Sequence, residues 1–142
     1  MIGILLVTHG GLAVELVRAA GEIAGETEAI AAVGLDWNEP GEAVRARIET
    51  AISEVERGAG VLILTDMFGG TPSNLALPFL KQDRVEIVTG VNLPMLLRSL
   101  ATRREEPLGA LAHAVRERGR KSIEVASELL SAAVEAPPGV AS

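Results

Sequence analysis

There is no cysteine in the 142 residues. Disulfides and thiolate metal sites are excluded, and a reducing compartment fits. Tyrosine is also absent, and with one tryptophan and two phenylalanines the chain is 2% aromatic. A core must therefore be built from Ala, Val, Leu and Ile. Positive charge is scarce: 13 Lys and Arg stand against 19 Asp and Glu, a net charge of −6. That argues against a nucleic-acid binder, which needs a basic face to neutralise phosphates. It suits docking of a basic protein partner. No apolar run approaches the roughly 20 residues that span a bilayer. Met1 to Val7 lacks the basic segment and cleavage site of a signal peptide. A soluble, cytoplasmic protein without direct membrane insertion is expected.

What is present is a 48% apolar chain of single-domain length. Short apolar runs alternate with longer amphipathic segments. Ile2–Val7, Ala29–Leu35, Gly60–Thr65 and Val85–Thr89 read as strands. The first is apolar throughout, as in a strand covered on both faces. Leu12, Leu16, Ala19, Ala20 and Ile23 recur at helical spacing before Gly25. Val44, Ile48, Ala51, Ile52 and Val55 form a second stripe, from near Asn38 and Pro40 to Gly58. A third helix runs from about Pro72 to Leu80, with Pro78 bending it. Pro94 opens a helix carrying Met95, Leu96, Leu97 and Leu100. Pro107 opens another with Leu108, Leu111, Ala112 and Val115, ending at Gly119. Ser122–Ala126 reads as a fifth short strand. Residues 1–130 form the domain, and 131–142 a flexible Ala/Pro-rich tail. Alternating strands and helices imply a doubly wound α/β fold with a mostly parallel open sheet, order beginning 2-1-3-4, flanked by helices.

Such sheets bind ligands beyond the carboxyl ends of their strands, where the strand order reverses. Between strands one and three that crevice receives Thr8-His9-Gly10-Gly11 and Asp66-Met67-Phe68-Gly69-Gly70-Thr71. His9 and Asp66 should therefore face one another. A carboxylate that accepts from Nδ1–H fixes the imidazole tautomer and frees the Nε2 lone pair, a nucleophile. Gly69 and Gly70 offer backbone N–H groups to an anion just before a helix. Thr71 is expected as the N-cap of that helix, its hydroxyl within reach of a phosphoryl oxygen. Nucleophile, orienting group and anion cradle point to phosphoryl transfer through histidine. His113, on a helix, reads as structural or exposed. Arg103, Arg104, Arg116, Arg118, Arg120 and Lys121 are interleaved with Glu105, Glu106 and Glu117 and read as a solvated face.

Ile4-Leu5-Leu6-Val7-Thr8-His9-Gly10 resembles the opening of the mannose/fructose/sorbose-type enzyme IIA domains of the bacterial phosphoenolpyruvate-dependent sugar phosphotransferase system. Thr65-Asp66-Met67-Phe68-Gly69-Gly70-Thr71-Pro72-Ser73-Asn74 and Gly90-Val91-Asn92-Leu93-Pro94-Met95-Leu96 are similar to the family's second and third signatures. The resemblance runs from Met1 to about Leu130. It implies a phosphotransferase activity with no cofactor and no metal. His9 takes the phosphoryl group from phospho-HPr on Nε2 and gives it to enzyme IIB, and Asp66 orients it. Gly70, Thr71 and Ser73 hold the phosphoryl group, and the Asn92–Pro94 loop walls the site. The resemblance also implies a homodimer exchanging one antiparallel strand, here Ser122–Ala126, and possible recruitment to a membrane sugar permease. Many members run on into an enzyme IIB domain. This chain stops at Ser142, so a separate acceptor is expected. Thr8-His9-Gly10 departs from the Ser-His-Ser of the branch serving dihydroxyacetone kinase.

Four other readings are distinguishable. A regulatory phosphocarrier without a dedicated transporter has the same chemistry and differs in its genomic neighbours. A receiver-like domain phosphorylated on Asp66 needs an acidic, Mg²⁺-holding cluster after strand one, where Thr8-His9-Gly10-Gly11 stands. A tetrapyrrole metal chelatase needs more ligands than two histidines supply. A non-covalent anion-binding module would never hold phosphate covalently.

Overall fold

The computed structural model describes residues 1–67 and 69–135, apart from the Glu135 side chain. Four strands, β1 (Gly3–His9), β2 (Ile30–Leu35), β3 (Val61–Thr65) and β4 (Val85–Thr89), form one sheet in the order β2-β1-β3-β4. All three pairings are parallel, with His9 opposite Leu35 and Val7 opposite Thr65. Around the sheet lie α1 (Leu12–Ala24), α2 (Gly41–Val55), α3 (Thr71–Ala76), α4 (Leu93–Thr102), α5 (Leu108–Lys121) and α6 (Ala126–Glu135).

Successive strand residues point to opposite faces, and each face has its own core. Ile4, Leu6, Leu62 and Leu64 pack with Ala13, Ala20, Met95, Leu96, Leu100, Leu108, Leu111 and Val115. Leu5, Val7, Val61 and Ile63 pack with Val44, Ile48, Ala51, Val55 and Ala76. Both faces being covered, the central strands are apolar from Ile4 to Val7 and from Val61 to Leu64. By the same alternation Thr8 points toward α1, and His9 toward α2 and α3.

Several elements differ from expectation. The described sheet is parallel throughout, and residues 122–125 are neither strand nor helix. Among the described residues that segment pairs with no strand, so it gains no ladder hydrogen bonds. Ile123 and Val125 are exposed. Ala126–Glu135, whose last five residues fall within the expected tail, is rich in helix formers and is helical. Residues 136–142 of that expected tail lie outside the described residues.

Pro78 ends the regular part of α3. A 3₁₀ turn, Leu77–Phe79, follows where the missing N–H breaks the α-helical pattern. Gly119 does not stop α5 but lies inside it. A Cβ there would come within 2.5 Å of Met95 Cγ and Sδ, so the glycine is a notch for a side chain of α4. The inward stripe of α1 is Ala13, Leu16, Val17 and Ala20, which leaves Leu12 and Ile23 exposed.

Arg103 is not part of a solvated face. It is buried at the other end of the sheet, where its guanidinium reaches the Glu26 carboxylate at 2.6 Å, the Glu28 carbonyl at 2.6 Å and the Ala29 carbonyl at 3.3 Å. It ties the start of β2 to the end of α4.

Candidate active site

The turn after β1 is built by three contacts. Thr8 is fully buried, and its Oγ1 accepts from the Ala13 N–H at 2.7 Å, serving one of the free donors at the start of α1. Gly10 donates to the Leu35 carbonyl at 2.9 Å and has φ +52°, the left-handed region that favours glycine. Its own carbonyl rests on Gly34, where a Cβ would lie 2.1 Å from that oxygen. The end of β2 is thus clamped to the loop that carries His9.

The loop after β3 meets this turn. His9 Nδ1 lies 2.7 Å from Asp66 Oδ2, and the His9 backbone N–H donates to the same oxygen at 2.9 Å. Asp66 Oδ1 accepts from the Met67 N–H at 3.0 Å. Three N–H groups therefore converge on one carboxylate. Burial pushes the Asp66 carboxyl up, but the hydrogen bonds from His9 and Met67 outweigh it and hold the group below its ordinary value. An ionised Asp66 can only accept, so in the neutral ring Nδ1 carries the proton and Nε2 keeps its lone pair. The His9 side chain is 45% exposed and that of Asp66 13%: a sheltered carboxylate behind an accessible ring.

Gly69 has φ +83°. Gly70 has an ordinary backbone and is the N-cap position of α3. Its role is closeness: a Cβ there would come within 3.2 Å of His9 Cε1, 3.7 Å of Nε2 and 3.3 Å of Met67 Cγ. Gly70→Ala should crowd the free nitrogen while leaving the fold alone. Its expected effect is a loss in transfer efficiency on the order of tenfold, read as kcat/KM, with an unchanged melting temperature. An unaltered rate would show that the space beside Nε2 is not used.

The other expected site residues fall differently. Thr71 is the first residue of α3 and not its cap, since no side-chain cap bond is made. It lines a cavity of about 390 Å³ with His9, Gly10, Leu35, Trp37, Glu39 and Leu75. Ser73 is fully buried in the first turn of α3, and its hydroxyl has no partner among the described residues. Asn92 caps α4, accepting from Met95 N–H at 3.1 Å and donating to the Gly119 carbonyl at 3.2 Å. Pro94 is in the first turn of α4. Neither lines the cavity at His9, although their loop is tied to β3 through Val91 N–H and the Thr65 carbonyl at 3.0 Å. His113 is exposed on α5 beside Arg116 at 3.4 Å. Trp37 and Glu39 border His9 without belonging to any recognisable motif. Only their place after β2, the neighbour of β1, could have pointed to them.

The family model EIIA-man, described as "PTS system fructose IIA component", matches residues 3–116. The chain belongs to that family. It is 33% identical over 131 residues to the fructose-specific EIIA component of Bacillus subtilis, covering 92% of this chain and 90% of that protein. It is 30% identical over 125 residues to the mannose-specific EIIAB component of Escherichia coli K12, covering 87% of this chain but 39% of that longer protein. Among solved structures, the IIA protein associated with the fucose utilization operon of Streptococcus pneumoniae superposes with a TM-score of 0.81 at 28% identity, over 90% of this chain and 95% of that one. This EIIA-type chain is accordingly a phosphotransfer component of a sugar phosphotransferase system. No helix among the described residues is long and apolar enough to cross a membrane.

Proposed function

We propose that this EIIA is a cytoplasmic phosphohistidine carrier that takes its phosphoryl group from phospho-HPr on His9 Nε2 and passes it to a separate enzyme IIB in sugar uptake. The observation that carries the reading is the 2.7 Å bond between His9 Nδ1 and Asp66. It leaves one nitrogen of an accessible ring unprotonated and aimed at the glycine turn. The Nε2 lone pair attacks the donor's phosphorus in line. The donor's P–N bond breaks, and its electron pair returns to the donor imidazole. His9 gains positive charge as the new N–P bond forms, and the Asp66 carboxylate stabilises that charge. The phosphoryl oxygens face backbone N–H groups of Gly69, Gly70 and Thr71, with the Thr71 hydroxyl beside them. The transfer to enzyme IIB is the same step reversed onto another acceptor.

A separate acceptor is supported by the match to a stand-alone EIIA component over most of both chains. A homodimer that exchanges the 122–126 segment would give Ile123 and Val125 cover that the single chain does not provide. The deciding experiment is intact mass after incubation with phosphoenolpyruvate, enzyme I and HPr. A gain of one acid-labile phosphoryl group is expected. No gain, beside HPr that phosphorylates a control acceptor, would leave a non-covalent anion-binding role.

A further inference from the structure

We propose that Trp37 is the anchor by which this protein docks the phosphocarrier that charges it, a protein presenting its phosphohistidine from an apolar surface bordered by Lys and Arg. This rests on the reading of His9 as the accepting residue.

Trp37 is the only tryptophan of the chain and is 97% exposed. It is not at a free end. It stands on the turn between β2 and α2, closed by the Glu39 N–H to the Asp36 carbonyl at 3.1 Å. Arg47 of α2 bolts that turn down, reaching Glu39 Oε1 at 2.7 Å and the Gly34 carbonyl at 3.0 Å. The next carbonyl, that of Leu35, accepts from Gly10. The turn bearing Trp37 and the turn bearing His9 are therefore fastened to one strand end, and both line one cavity. An indole carried into water on a fastened turn beside a nucleophile has the character of an interface hot spot, available before binding. Leu12 at the start of α1 and Met67 in the loop after β3, 45% and 55% exposed, add apolar surface at this end of the sheet.

Charge identifies the occupant. Asp36 and Glu39 line the cavity, Glu39 already paired with Arg47, and no Lys or Arg lines it. A small anionic phosphodonor finds no side-chain cation there. A protein donor supplies its own, and a basic border would meet Asp36 and the net charge of −6.

Trp37→Ala is expected to raise the KM for phospho-HPr about 10–30-fold while kcat stays within about threefold. Labelling of His9 by phosphoramidate, which needs no docking surface, should change less than twofold. A variant damaged in its fold would lose both. Trp37 also reports directly. Its fluorescence should shift to the blue and saturate on titration with unphosphorylated HPr, and the shift should weaken as salt is raised. The titration reads docking even if no phosphoryl group moves, so it separates this proposal from the reading of His9. An emission that stays unmoved, or a Trp37→Ala KM within twofold of the parent protein, would overturn the proposal.

Discussion

The His9→Gln variant is expected to show no acid-labile phosphoryl group under conditions that charge the parent protein completely, a loss of at least about 10³-fold in labelling rate. Two observations make this outcome specific to His9. His113, the only other histidine, sits on α5 beside Arg116 and has no carboxylate within hydrogen-bonding distance among the described residues. It serves as an internal control for unspecific labelling. The His9 ring is nearly half exposed, so its replacement removes little packing. The packing lost is small, and the hydrogen bond to Asp66 should cost about 0.5–1.5 kcal/mol, less where the Gln amide replaces it. A His9→Gln protein that still gains a phosphoryl group, located on His113 by fragmentation, would move the chemistry to α5 beside β4.

Asp66→Asn is expected to be nearly as damaging, and its geometry says why. Both carboxylate oxygens accept, one from His9 twice and one from Met67. An amide offers one acceptor and one donor group, so one side must oppose N–H to N–H. If the amide nitrogen faces His9, the ring adopts the tautomer protonated on Nε2, and the nucleophilic lone pair is lost. If it faces Met67, the loop shifts. Loss of a charged acceptor alone costs about 1.5–3 kcal/mol. That is roughly 10–100-fold in transfer rate, with the tautomer change in addition. The measurement is single-turnover transfer from phospho-HPr, and a rate within threefold of the parent would remove Asp66 from the mechanism. Stability offers a second check. The Asp66 pKa lies below its unfolded value in the folded protein. Its contribution is therefore fully present above the unfolded pKa of about 3.9 and is lost as pH falls through the lower folded value. The stability gap between parent and Asp66→Asn should be steady from about pH 5 upward and should close toward pH 3.

The pairing of His9 with Asp66 was readable from topology alone. An apolar run buried on both faces, followed by a short polar turn, is a central parallel strand, and adjacent central strands bring their loops together. Gly70 was readable as part of a turn. Its real constraint, the closeness of His9 Cε1, depends on a contact across the sheet. Gly119 looked like a helix end because a glycine in an isolated pattern is a terminator. Only the position of Met95 turns it into a notch. Leu12 and Ile23 share the spacing of the inward residues of α1, and periodicity cannot say which edge of a stripe meets the sheet. Trp37 carried no signal at all, because a lone aromatic in a Pro- and Asn-containing turn has no period to belong to. Arg103 was misjudged by composition, since three acceptors gathered from the α1–β2 connection bury a charge that the sequence places beside acids.

Locking Nδ1 onto Asp66 sets a limit on traffic. A ring with a single usable nitrogen has one doorway, so in the proposed carrier cycle the protein that loads it must leave before the one that unloads it can enter. At an association rate of about 10⁷ M⁻¹s⁻¹, a cycle of about 100 per second requires each visitor to dissociate at least that fast. Their dissociation constants then have to be about 10 µM or weaker. A small contact area with one strong point, in place of a broad adhesive face, is what such a schedule demands.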